Sequence, residues 1–329
     1  MSNTVRRERS LSAMSMQGKT VSPSHTDGMN SARMAWTGDD SKTKNKTTTT
    51  TTTAKVMLWS APRSLSTVFE RSIIALDGSD VYNEMYTAAY LFGPERRWLK
   101  FIPSLAPTLS HSRVKEKLKK ASQKNQSASV IFAKDFGFAV AGHLEDIPED
   151  FVHTFLIRDP VKVFTSLKPR LEASRITKMV VGTDITGCIP ADGYTIKELY
   201  DLFEYVEHKY RKTPIVIDAD DLLSDPEGML KQYCLATGIP FDEQMMHWNP
   251  AKVGSLKWHC PRVLRASNRL MGWYNAALNS SGFRKPTPKK KVEMSELQPD
   301  VREAIEFTTP YYQAMYKMRL RPEGSEDSN

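Results

Sequence analysis

The chain has 329 residues, 40% hydrophobic and 26% charged, an ordinary balance for a globular protein, and its Trp, Phe and Tyr can fill a sizeable core. The formal net charge is +8; eight Lys/Arg and four Asp/Glu precede Lys55, so the rest of the chain carries only a mild positive surplus. Such a surplus fits an anionic small ligand and is too small to argue for nucleic acid, while the sequence has neither an apolar leader nor a run of about 18 apolar residues to argue for a signal peptide or membrane span.

Residues 1–54 are rich in Ser, Thr, Met and charge, lack periodicity and end in seven threonines, Thr47 to Thr53, which predicts a disordered tail. Lys55 to Ser60 is an apolar strand. The polar loop Ala61-Pro62-Arg63-Ser64-Leu65-Ser66-Thr67 leads into a helix over Ser66 to Leu76, closed by Asp77-Gly78. A second strand over Val81 to Asn83 ends at Glu84. Tyr86 to Leu109, aromatic and broken by prolines, reads as loop and short helix over a site. Val114 to Asn125 predicts a solvated helix, Ser129 to Lys134 a buried strand, and Phe136 to Leu144 a helical turn or two.

Val152 to Ile157 is a fourth strand, followed by Arg158-Asp159-Pro160, with proline suited to the first turn of a helix over Val161 to Ser174. Lys178 to Gly193 reads as a substrate loop, Ile196 to Arg211 as a long helix, and Ile215 to Ile217 as a fifth strand. Ser224-Asp225-Pro226-Glu227 opens another helix that Gly238 ends; His247 to Gly282 is Trp-rich and basic; Pro299 to Arg319 forms a last helical layer. Strands alternating with helices predict one α/β domain over 55–320, a mainly parallel sheet flanked by helices, with a flexible C-terminus over 321–329.

Cys188, Cys234 and Cys260 are widely spaced without a CxxC, so no disulfide framework or zinc site is readable. A reducing, cytoplasmic setting is the expectation, and the sequons at Asn45, Asn125 and Asn279 read as chance. Asp218, Asp220 and Asp221 resemble metal ligands by type but read better as helix-cap acids.

Parallel sheets bind ligands at the carboxyl ends of their strands. Five such ends carry polar groups here: the Arg63 loop, Glu84, Lys134-Asp135, Arg158-Asp159 and Asp218 to Asp221. The first loop precedes a helix N-terminus, whose free N–H groups and partial positive charge suit a phosphate. It is not a Walker A loop, because the two glycines and the Lys-Ser/Thr pair are absent, which counts against a nucleoside triphosphate kinase.

PRSLST after the first strand and RDPVKVFTS after the fourth resemble the PAPS-dependent sulfotransferase superfamily, over roughly Lys55 to Gly238. That resemblance implies a P-loop NTPase-like three-layer sandwich. It places Arg63, Ser64, Leu65, Ser66 and Thr67 around the 5′-phosphosulfate of PAPS, and Arg158 and Ser166 on the 3′-phosphate. Many relatives have Gly where Leu65 stands, which implies a different conformation or packing of the loop. The histidine base that soluble members often carry after the third-strand lysine is missing, since Lys134-Asp135-Phe136 stands there. Other members use a glutamate after the second strand, so Glu84 takes the role of base, with Lys134 a second cation near the bridging oxygen and His143 a rival base. Lys252-Val253-Gly254 with Lys257-Trp258 only loosely echoes the family's C-terminal basic-glycine loop.

The resemblance therefore implies transfer of a sulfuryl group from PAPS to a hydroxyl or amine of a small-molecule or carbohydrate acceptor, with no metal required. Such transfer works through positioned cations and N–H donors, together with a carboxylate that takes the acceptor's proton. The alternative is a PAP-binding pseudoenzyme or regulatory module. Trp98 or Trp258 are candidate acceptor-pocket walls, and a homodimer is compatible with the sequence.

Overall fold

Val56, Met57, Leu58 and Trp59 are apolar on both faces of their strand, and in the computed structural model all four are at most 1% exposed. They belong to β1 (Ala54–Ser60), the middle strand of a five-stranded sheet, where each face must be covered. The structure describes residues 53–97, 103–124, 128–173, 175–185, 195–285 and 292–322, all within the unit Thr50–Asn329. The predicted tail up to residue 52, Trp98, Cys188 and the second half of the predicted substrate loop lie outside the described residues.

The strands are β1, β2 (Ser79–Asn83), β3 (Val130–Phe136), β4 (Val152–Ile157) and β5 (Ile215–Asp218). Their order is β2-β3-β1-β4-β5, and every pairing is parallel. Alternate residues serve opposite faces. Met57, Trp59, Ile131, Ala133, Phe155 and Ile157 join one core, whereas Val56, Leu58, Val130, Phe132, Leu156 and Ile217 join the other.

The first core is closed by α2 (Met85–Phe92), α3 (His111–Lys124), α4 (Pro160–Glu172), α6 (Thr195–Tyr210) and α11 (Pro299–Lys317). The second is closed by α1 (Ser66–Ile74), α7 (Ala219–Ser224) and α8 (Pro226–Thr237). This is the predicted three-layer α/β sandwich. The remaining α-helices among the described residues are α5 (Arg175–Val180), α9 (Arg262–Met271) and α10 (Asn275–Leu278). Two predictions gain detail: the short helix expected in the Tyr86 to Leu109 segment is α2, a buried core helix, and α5 occupies the start of the segment read as irregular.

Local chemistry sets the helix boundaries. Asp159 accepts the Val161 N–H at 2.7 Å and Pro160 occupies the first turn of α4. Asp225 does the same for α8 through Gly228 N at 3.1 Å, and Gly238, at φ 77°, ends that helix in the left-handed conformation that glycine tolerates.

Candidate active site

β1 lies at the switch in strand order, with β3 on one side and β4 on the other, so its carboxyl end opens a crevice. The loop there is strained. Arg63 has φ 68° and Leu65 φ 64°, left-handed values that cost a residue bearing a Cβ about 1–2 kcal/mol. Leu65 thus adopts a conformation that favours glycine, while its side chain packs on the second core. Left-handed residues beside right-handed ones turn successive backbone N–H groups toward a common point, an anion-binding concavity. The α1 N-terminus follows directly, with no side-chain cap on its free N–H groups.

Three predicted anion-binding residues come together here. The Arg63 Nε donates to Ser166 Oγ at 3.1 Å, and Arg158 Nη1 donates to the Arg63 carbonyl at 2.8 Å. Arg158 Nε is buried without a hydrogen-bond partner, as an anion-binding group awaiting an acceptor would be. Burial, then the neighbouring Arg170 and Arg158, push the Arg63 guanidinium below its usual range. Cations crowded away from water in this way are relieved by an anion. Ser66 and Thr67 line the cavity beside Arg63, whereas Ser64 is fully buried with its hydroxyl unpartnered.

Glu84 follows β2 in a left-handed conformation, φ 50°, with its N–H held by the Lys134 carbonyl at 2.8 Å. A strained non-glycine residue needs support from its surroundings. Asp135 supplies it by accepting Tyr86 N at 2.6 Å and Thr87 N at 3.0 Å, which anchors the first turn of α2 to β3. Burial raises the Asp135 carboxyl to about 7 despite the hydrogen bonds it accepts from the Thr87 hydroxyl and the Phe136 N–H.

The Glu84 carboxylate is 3% exposed and lines the cavity. Lys134 Nζ donates to its Oε1, and Tyr274 OH donates to its Oε2 at 2.5 Å. Lys134 is fully buried, its ammonium 4.1 Å from the Phe136 ring centroid, and it does not line the cavity. The lysine therefore acts on Glu84 rather than facing the ligand space. His143 does not line this space: it stacks on His111 at 4.1 Å and lies beside Asp146.

Two groups here are not singled out by sequence reasoning. Tyr274 sits 190 positions from Glu84, and no local pattern announces that contact. Glu70, on α1, is fully buried with neither oxygen partnered, and burial holds its carboxyl well above the usual range. Its spacing, one helical turn after Ser66, is visible in the sequence but reads equally as a buried ion pair.

The C-terminal walls are fastened by Arg71, also unforeseen. Its Nη1 donates to the carbonyls of Ala277 at 2.6 Å, Leu278 at 2.9 Å and Ser280 at 3.2 Å, and its Nη2 donates to the Asn249 carbonyl. The acidic cluster after β5 is structural, as expected. Asp218 accepts Asp220 N at 2.8 Å and Tyr312 OH at 3.1 Å, while Asp221 pairs with Arg319 at 2.6 Å. Lys252, Val253 and Gly254 border a separate cleft with Arg269, which shares Asn268 and Tyr274 with the main cavity. Of the tryptophans, Trp273 lines the cavity, and Trp258 packs behind Tyr274 at 5.6 Å.

Comparison with known proteins adds an independent strand. The family model "Sulfotransferase domain" matches residues 196–319, a stretch beyond both motifs, and bears out the sulfotransferase resemblance. Two curated relatives are the Branched-chain-amino-acid aminotransferase-like proteins 2 and 1 of Arabidopsis thaliana, 25% and 24% identical over 230 residues, or 69% of this chain. The match spans only 36% of each relative's length. Among solved structures, the sulfotransferase domain of the Synechococcus PCC 7002 olefin synthase aligns with TM-score 0.40 and 17% identity, covering 78% of this chain and 94% of that one. The sulfotransferase domain from the curacin biosynthetic pathway aligns with TM-score 0.40 and 16% identity, covering 82% and 99%.

Proposed function

We propose that this chain is a sulfotransferase that takes PAPS as donor and transfers its sulfuryl group to an acceptor hydroxyl or amine. The observation that carries the reading is the joining of Arg63, Ser166 and Arg158 beside a strained loop, at a cavity whose wall also holds Glu84. The unpartnered Arg158 Nε and the uncapped N-terminus of α1 are the groups that a ligand with phosphates at two positions of its nucleoside can satisfy.

When bound, PAPS supplies the sulfuryl group and departs as PAP. Arg63 and the loop N–H groups stabilise negative charge developing on the leaving phosphate, and Arg158 and Ser166 fix the distal phosphate. Glu84 takes the acceptor's proton. Lys134 pairs with it and Tyr274 fixes its orientation, while two of its roughly four lone-pair positions remain for the acceptor. Lys134 is a positioning residue in this scheme.

Calorimetry with PAP tests the donor site. The wild type binds, and folded Arg158→Ala binds more weakly; absence of PAP binding by the wild type would refute the proposal. One observation favours a second reading, a PAP-binding protein without transfer activity: both Glu84 oxygens already have donors. PAP binding without turnover of labelled PAPS on any acceptor extract would support it.

A further inference from the structure

The cavity extends from the Arg63 loop into a region whose walls are predominantly hydrocarbon. Its volume is about 240 Å³. The face of α9 toward it carries Leu264, Ser267, Asn268 and Met271, the spacing of a single helical stripe. Arg262, Arg265 and Arg269 lie outside that stripe and do not line the cavity. From α4 come Leu167 and Leu171, from α2 Leu91 and Phe92, and Phe136, Phe138 and Trp273 add further apolar wall, while the hydroxyls of the lining Thr87 and Tyr274 are taken up by Asp135 and Glu84. The charged groups lining it are Arg63, Glu84 and Arg158, all assigned above to donor binding or proton transfer.

Such walls cannot satisfy the ring of hydroxyls on a carbohydrate, and each polar group buried there without a partner carries a penalty. One polar atom deep in the wall is unsatisfied. Asn268 is 6% exposed; its Nδ2 donates to the Leu264 carbonyl at 3.4 Å, which leaves Oδ1 without a partner. An amide oxygen in that state accepts one hydrogen bond from a hydroxyl or N–H.

We infer that the acceptor is an alcohol with a hydrocarbon body and one further hydrogen-bond donor, which Asn268 Oδ1 receives. This rests on the sulfotransferase reading for the identity of the cavity as an acceptor site, but its binding chemistry can be measured without the donor.

The test uses the full chain and a ladder of 1-alkanols, the matching α,ω-diols and methyl glucoside, with affinity read from tryptophan fluorescence and calorimetry, with and without PAP. Burying each added methylene predicts an affinity gain of about three- to fourfold until the cavity is full. At least one diol is expected to bind more tightly than the mono-alcohol of its length, and Asn268→Leu removes that gain while keeping the alkanol ladder. Met271→Gln, at a half-buried wall position, weakens the longer alkanols and leaves PAP binding intact. A flat ladder, or methyl glucoside binding more tightly than hexanol, overturns the inference; diols without advantage overturn the role of Asn268. A steep ladder with no PAP binding supports the inference and overturns the donor reading instead.

Discussion

Replacing Glu84 by Gln separates the chemistry from the fold, because the isostere keeps shape and one acceptor oxygen but removes the charge. In the folded protein Lys134 is fully buried, and its ammonium and the Tyr274 hydroxyl both donate to this carboxylate. An amide offers a single oxygen to two donors, so one donor is left facing N–H₂. Removing one partner of a buried ion pair typically costs about 3–5 kcal/mol, and the retained oxygen places this case near the lower end. A loss of about 3 kcal/mol is tolerable against the roughly 5–15 kcal/mol of a typical domain, and lowers Tm by about 6–12 °C.

Turnover, measured well below that melting point, should fall about 10²–10⁴-fold, the usual worth of a positioned general base. PAP affinity should be unchanged, because Glu84 touches neither arginine of the anion site in the hydrogen bonds observed. A double-mutant cycle with Lys134→Met provides the control: the double variant, with neither charge left buried alone, should be more stable than the sum of the single losses implies. Wild-type turnover by folded Glu84→Gln would refute Glu84 as the base.

Leu65→Gly should be about 1 kcal/mol more stable than Leu65→Ala, because the two lose the same packing but only glycine accepts φ 64° freely; urea denaturation reads the difference. Arg71→Lys should destabilise by a few kcal/mol, since an ammonium cannot reproduce a planar fork that meets four carbonyls, and proteolysis should then open the region around Asn249 and Ser280 first. His153 is buried, accepts the Trp59 indole N–H at 3.0 Å and lies 2.9 Å from the Pro148 carbonyl; burial depresses its pKa from 6.5 to about 4. Its folded pKa lies below the unfolded one, so its contribution is complete above about pH 6.5 and is lost as pH falls through 4, up to about 3 kcal/mol in all. Stability curves of wild type and His153→Gln should therefore converge across that window; parallel curves would exclude His153 as a source of acid sensitivity.

The strand–helix alternation, the doubly buried strands and the helix starts at Pro160 and Pro226 are properties of short stretches, and these were legible without a structure. The placing of Arg63, Glu84 and Arg158 at one edge of the sheet was legible too, because a parallel sheet delivers the carboxyl ends of its strands there, whereas Ser166 came only from the resemblance of the second motif. The tertiary structure decided what depends on contacts distant in sequence. It put Lys134 onto Glu84 and away from the cavity, brought Tyr274 to the same carboxylate across 190 positions, and stacked His143 on His111 away from the site. It also gave Leu65 the left-handed conformation that glycine favours, with its side chain packed on the core. Sequence patterns reveal which residue types can serve a site because periodicity and capping are local forces. The partner of a buried charge is chosen by global packing, where desolvation makes every unmatched group costly and only the assembled fold determines which group is near enough to match it.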